Sequence, residues 1–148
     1  MNALDFSSKF LGGMLGSALG DAIGELAFSN PSEKSLRAII EKTDLLQYTD
    51  DTAMALGIAE SLGERGTLNP HHLGETFRKN FEQEPWRGYG PGPPTVFTLV
   101  RQGYSYQEAA QRLFGGEGSF GNGSAMRITP LGLFFYNSKD LYEQAAQS

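Results

Sequence analysis

SKFLGGMLGSALGDAIGELAF, residues 8–28, is the stretch whose reading decides the fold. Its apolar positions, Phe10, Leu11, Met14, Leu15 and Leu19, recur at helical spacing rather than at the alternation of a strand. Glycines recur with them at 12, 16, 20 and 24, one every four residues, which keeps all four on one helical face. Each costs about 0.8–1 kcal/mol relative to alanine in a helix interior. Four on one stripe need a compensating reason, and close approach of another helix supplies one; a poor helix or a loop is the alternative. Asp21 then falls toward the C-terminal part of this helix, where the dipole disfavours a carboxylate, so a cation or hydrogen-bond donor is expected beside it.

The segments that follow also read as helices. Asn30-Pro31-Ser32-Glu33 looks like an N-cap, a first-turn proline and an acidic N3 residue, opening a helix to about Lys42. Asp50 or Asp51 opens another through Met54, Ile58 and Leu62, with Gly66 as its stop. Asn69-Pro70 repeats the cap-and-proline signature ahead of the stripe Leu73, Phe77, Phe81. Pro94 opens a short helix, and Ser105 with Glu108 forms a capping box. A further apolar helix is predicted from Ala125 to Tyr136, kinked or delayed by Pro130, and a last one from near Ser138. No alternating run is strong enough to build a sheet, so the predicted class is all-α. The final helix carries no terminating signal, as though cut mid-element.

Composition narrows the function. The chain has 148 residues, a net charge of −5 and no cysteine, which excludes disulfide scaffolds, thiolate metal sites and cysteine nucleophiles. The acidic balance argues against non-specific nucleic-acid binding. Residues 1–74 hold 5 basic and 10 acidic side chains, whereas residues 75–148 hold 7 of each, so the excess lies in the first half. The most apolar stretch, Phe10 to Leu19, is about half the roughly 20 residues a bilayer span needs, and no secretory signal is evident. No membrane partner is expected, and a cytoplasmic location is the default.

Gln47-Tyr48-Thr49-Asp50-Asp51-Thr52 is the sharpest chemical feature. Two adjacent carboxylates between two threonine hydroxyls are the all-oxygen donors that hard cations such as Mg²⁺ select. Helix capping by Thr49 or Asp50, with Asp51 favouring the dipole, explains the same residues without a metal. RGYGPGPP (87–94) and FGGEGSFGNGS (114–124) concentrate glycines beside an aromatic, a composition that suits backbone binding of anionic oxygens and equally suits ordinary interhelical loops. Glu25 either reaches a cleft or sits solvated on the surface. Arg127 either holds loop carbonyls as a buried charge or touches a ligand. His71 and His72, being adjacent, do not share a helix face, which argues against a joint metal site.

Taken in order, LGSALGDAIGE, YTDDTAMAL, RGYGPG and GSFGNGSAMRITPLGL resemble the ADP-ribosylglycohydrolase family, which includes dinitrogenase-reductase-activating glycohydrolases and ADP-ribosyl-acceptor hydrolases. The resemblance spans essentially the whole chain. It implies an all-α fold with a binuclear Mg²⁺ (or Mn²⁺) centre and an ADP-ribosylated protein or small molecule as substrate. Its first metal-binding segment matches Thr49, Asp50 and Asp51, with Asp51 also a catalytic candidate. Its ADP-ribose loops match Gly88, Tyr89 and Gly90, and Gly118, Ser119, Phe120, Gly121, Asn122 and Gly123. By that match loop N–H groups hold the diphosphate and Phe120 stacks on the adenine. Two departures stand out. The family's mobile glutamate corresponds to Phe28 here, leaving Glu25 as the substitute. The family's second aspartate-and-threonine motif, in the C-terminal half of longer chains, has no counterpart. Residues 1–148 are thus expected to be the N-terminal part of a single domain that needs a C-terminal half or a complementing chain. A non-catalytic ADP-ribose- or nucleotide-binding module is the alternative.

Overall fold

The computed structural model describes residues 3–119 and 121–148. Among them the chain is all-α, with no strand. A long helix, α1 (Ala3–Ser29), is followed by α2 (Glu33–Ile40), α3 (Asp50–Arg65), α4 (Pro70–Gln83), α5 (Gly92–Arg101) and α6 (Tyr106–Gln111). A 3₁₀ turn (Leu113–Gly116) leads to two short helices, α7 (Gly123–Met126) and α8 (Thr129–Phe134), and to α9 (Leu141–Gln147).

The centre is α3. Eight of its 16 residues are buried, including Ala53, Ala55, Ile58 and Leu62. Ile58 and Leu62 meet Leu68, Leu73 of α4 and Leu131 of α8 in one cluster, walled by Phe77, Ile128, Phe134, Phe135, Leu141 and Ala145. The Leu73–Phe77–Phe81 stripe continues outward, with the Phe81 ring 5.4 Å from Phe97 of α5 and 5.0 Å from Tyr89. Helix α3 ends where Gly66 takes the left-handed conformation (φ 69°), as its position after Arg65 requires. Asn69 caps α4 through His72 N–H, and Ser105 with Glu108 makes the complete capping box of α6.

Several boundaries differ from the sequence reading. The cap of α2 is Ser32, whose hydroxyl accepts from Ser35 N–H, not Asn30. Asn30 instead donates its side-chain amide to the Leu26 carbonyl (3.0 Å), satisfying an acceptor that α1 leaves open at its end. The predicted 125–136 helix is two, because Pro130 has no N–H and its ring obstructs the carbonyl four residues earlier; α7 therefore stops at Met126 and α8 begins at Thr129. The last helix begins at Leu141, since Ser138 Oγ accepts from Asp140 N–H (3.1 Å) in a local turn. Helix α1 continues past Glu25 to Ser29, so Asp21 lies two turns inside it.

The glycine stripe is the largest correction. A Cβ placed on Gly12, Gly16, Gly20 or Gly24 meets nothing within 4 Å, so no helix of this structure approaches there. Close approach occurs at Gly13, where a Cβ would lie 2.7 Å from Leu133 Cδ1 of α8, and at Gly74, where it would strike the Tyr106 ring. Gly74→Ala should therefore destabilise the fold, because overpacking costs about 1–3 kcal/mol against a helix gain of about 1. Gly12→Ala should stabilise the isolated chain by about 0.8–1 kcal/mol. Urea unfolding followed by circular dichroism checks both signs.

Candidate active site

The start of α3 faces the C-terminal third of α1 across a cavity of about 650 Å³. Gly20, Asp21, Gly24, Glu25 and Phe28 line it from α1, residues 47–51 from the approach to α3, and Trp86, Arg87, Gly88 and Asn122 from the loops.

Asp21 joins the two helices. One of its oxygens, Oδ2, accepts from Thr49 N–H (2.8 Å), Thr52 N–H (3.1 Å) and Thr52 Oγ1 (2.6 Å), while Oδ1 accepts from Thr49 Oγ1 (2.6 Å). Thr49 occupies the N-cap position of α3 but makes no side-chain cap bond. The cap comes instead from a carboxylate 28 residues upstream, which satisfies first-turn donors and sits at the positive end of the dipole. Burial pushes the Asp21 carboxyl up, yet the bonds from Thr49 and Thr52 outweigh it and hold the group below its ordinary pKa.

Asp50 and Asp51 shift the other way. Burial raises Asp50, opposed by backbone N–H donors including Gly90 and reinforced by the Asp21 charge. Burial likewise raises Asp51, with the charges of Asp21 and Asp50 adding to it. The site thus concentrates negative charge that its own hydrogen bonds leave partly uncompensated.

A second cluster braces the loop. Arg87 donates to both oxygens of Glu84 (Nε 3.1 Å, Nη2 2.7 Å) and to the Tyr48 carbonyl (3.1 Å). Its guanidinium carbon lies 3.7 Å from the Tyr48 ring centroid, and Tyr48 donates its hydroxyl to Glu84 (3.2 Å). This ties the segment before α3 to the turn at Gly88, where φ is 84° and a glycine is required.

The predicted site residues divide. Glu25, Thr49, Asp50, Asp51, Gly88 and Asn122 meet at the cavity. Gly90 is not part of the lining, although its backbone favours the charged form of Asp50. Tyr89 turns toward Phe81, and burial followed by the Asp50 charge pushes its hydroxyl up to about 12. Gly118, Ser119, Gly121 and Gly123 are not part of the lining, and Gly121 N–H bonds to Ser119 Oγ (3.0 Å). Phe120 lies outside the described residues. Arg127 acts as the holder of a carbonyl, donating to Ser148 O (2.8 Å), with its buried Nε unpartnered among the described residues. His72 serves α3, facing Ser61 Oγ through Nδ1 (2.9 Å) and Glu64 through Nε2 (3.0 Å), while His71 turns to Tyr106. Trp86, Arg87 and Glu84 are the residues that sequence reasoning missed. Trp86 is the sole tryptophan, 71% exposed on the cavity wall, and that rarity was the available signal.

The donor set suits a hard cation only in part. Asp50, Asp51 and the remaining lone pairs of Thr49 are oxygen donors at an under-neutralised site, and Mg²⁺ is commonly held by one or two carboxylates plus water. Among the described residues no three His, Asp or Glu side chains converge on one point, so these groups do not close a coordination shell alone.

The sequence profile of the ADP-ribosylglycohydrolase family matches residues 2–148. The chain belongs to the ADP-ribosylglycohydrolase family. It is similar to ADP-ribosylhydrolase ARH3 of Danio rerio, 40% identical over 99 residues that cover 66% of this chain and 27% of that protein. ARH3 of Homo sapiens is 36% identical over 110 residues, 73% of this chain and 30% of that protein. An uncharacterized protein of Archaeoglobus fulgidus is 29% identical over 103 residues, 68% of this chain and 31% of that protein. The matched segment thus spans less than a third of the curated relatives' length. No helix among the described residues of this ADP-ribosylglycohydrolase chain is long and apolar enough to cross a membrane.

Two outcomes follow from the charges. Asp21→Ala should cost about 2–3 kcal/mol by stranding charge-assisted donors. Because the folded pKa of Asp21 is depressed, that stability is present above its ordinary value of 3.8 and is lost as pH falls through the lower folded value. The acid limb of a stability–pH curve should therefore be shallower in the variant. Asp51 has the opposite sign: its raised folded pKa makes ionisation work against folding, a penalty fully present at pH 7. Asp51→Asn should stabilise the fold without divalent ions, by under about 1 kcal/mol after solvent screening, which thermal unfolding in EDTA checks.

Proposed function

We propose that this chain is the N-terminal part of a single-domain Mg²⁺-dependent (or Mn²⁺-dependent) hydrolase that cleaves the N- or O-glycosidic bond of ADP-ribosylated proteins or small molecules. The observation that carries the reading is the under-neutralised pair Asp50–Asp51, held by Asp21 at the wall of a ligand-sized cavity in a chain of this family. Thr49, Asp50 and Asp51 would hold one metal of a binuclear centre, with further ligands from polypeptide beyond this segment. When bound, the metals would stabilise negative charge and orient ribose hydroxyls and water for attack at the anomeric carbon.

The chain's own residues have separate tasks in this reading. Asp21 holds Thr49 and the first turn of α3 in place, so that Asp50 and Asp51 face the cavity. Gly88 and Gly90 present backbone to the ligand, and the 118–123 loop binds diphosphate and adenine, with Phe120 stacked on the base. Glu25, facing the cavity without a hydrogen bond or ion pair among the described residues, receives or delivers a proton at the leaving group, while Asp51 offsets oxocarbenium charge.

The test is release of free ADP-ribose from ADP-ribosylated serine and arginine peptides with Mg²⁺, by the chain alone and with the polypeptide that completes the domain. Turnover is expected only in the completed protein, and Asp51→Asn should lower it by at least about 10²-fold. ADP-ribose should also change the fluorescence of Trp86, the single tryptophan. A fluorescence change with no turnover in the completed protein would establish a binding module instead, a reading supported by Phe28 at the position of the family's glutamate.

A further inference from the structure

We infer that Phe28 and Trp86 form a subsite for the cationic side chain of a lysine or arginine adjoining the modified residue of an ADP-ribosylated polypeptide. The inference rests on the hydrolase reading above and narrows its substrate class to basic polypeptide segments.

Large rings left in water need a reason when they gather at one place. Among the described residues the three most exposed aromatic side chains are Phe28 (86%), Tyr142 (86%) and Trp86 (71%). Phe28 and Trp86 line the same cavity, one from the end of α1 and the other from the loop after α4. Among the described residues neither ring is stacked on another ring or covered by a guanidinium. Their faces are thus available to a ligand.

Charge selects that ligand. The carboxylates of Asp21, Glu25, Asp50 and Asp51 line the cavity, while the guanidinium of Arg87 on its wall is committed to Glu84 and Tyr48. Asp21 is occupied by Thr49 and Thr52, and Asp50 and Asp51 are the proposed metal ligands, which leaves Glu25. Glu25 and Phe28 stand three residues apart on α1 and so are neighbours on its surface. A carboxylate beside one ring, with an indole on another wall, attracts an ammonium or guanidinium group. The ring faces carry negative quadrupoles and Glu25 supplies the countercharge. The same wall repels an anion, and an apolar group would desolvate Glu25 without pairing it.

Position selects the source. Glu25 serves the leaving group in the hydrolase reading, so Phe28, one turn on, lies where the acceptor polypeptide leaves the cavity. The cation is therefore that of a residue next to the modified one.

The probes are fluorescein-labelled peptides carrying ADP-ribosylated serine flanked by lysine, norleucine or alanine, titrated with the full chain in Mg²⁺ and followed by anisotropy. Lysine flanks should tighten binding about ten-fold over norleucine or alanine, from two exposed cation–π contacts and one ion pair. Replacing both rings, Phe28→Ala with Trp86→Ala, should bring that ratio below about two. Trp86→Phe, which keeps an aromatic face, should retain most of it. Tyr142→Ala, at an exposed ring away from the cavity, should leave it unchanged. Circular dichroism of the double variant should match the wild type, since both rings are exposed. Equal affinity for lysine and norleucine flanks, or a ratio that survives the double variant, overturns the inference. So does an alanine-flanked ADP-ribosylated arginine peptide that binds as tightly as the lysine-flanked serine peptide, because the modified residue is then the cation. Binding of free ADP-ribose without a lysine preference overturns this inference and leaves the hydrolase reading standing, whereas no binding of any probe overturns both. A ring-dependent lysine preference with no ADP-ribose release by the completed protein supports the subsite and counts against hydrolysis alone.

Discussion

The carboxylate of Asp21 organises the cleft. A helix that begins with two aspartates must hold them at its first turn while their mutual repulsion and burial oppose it. The dipole of α3 favours negative charge there, but its N–H groups still need an acceptor. Asp21 provides it from another helix, through four short bonds to the backbone and hydroxyls of Thr49 and Thr52. One side chain thereby ties α1 to the start of α3, where Asp50 and Asp51 line the cavity.

The arrangement sets stability against use. Asp21 is stabilised as an anion by the bonds it accepts, and its charge in turn raises Asp50 and Asp51. Three carboxylates at one helix start are worse for folding than one, and a structural cap required only the first. In the proposed function a positively charged ligand would offset the repulsion among them. In the Arg87–Glu84–Tyr48 brace the guanidinium pairs with Glu84 and stacks on Tyr48 at the wall of the same cavity.

Much was legible in the sequence because the relevant physics is local. Asn69-Pro70, Ser105 with Glu108 and Gly66 act within one turn, and each stands where its capping chemistry placed it. The expectation that Asp21 needs a donor also held, although the helix runs farther than its glycines suggested. Asn30 was misread because two helix ends lie three residues apart, and the asparagine closes the first rather than opening the second. The glycine stripe was read as a packing surface within this segment. Nothing in the structure approaches those four glycines, and the tight glycine of α1, Gly13, lies off the stripe.

The sequence by itself determined the all-α class, most helix starts and stops, and the acidic segment from Thr49 to Thr52, because periodicity, caps and adjacency are properties of neighbouring residues. Only the tertiary structure decided that Asp21 caps α3 across 28 residues, that Trp86 shares a wall with Glu25, and that Tyr89 turns to Phe81 rather than to the cavity. Those pairings depend on how helices cross, which is set by the packing of Ile58, Leu62, Leu73 and Leu131 in the core and not by any short stretch of chain.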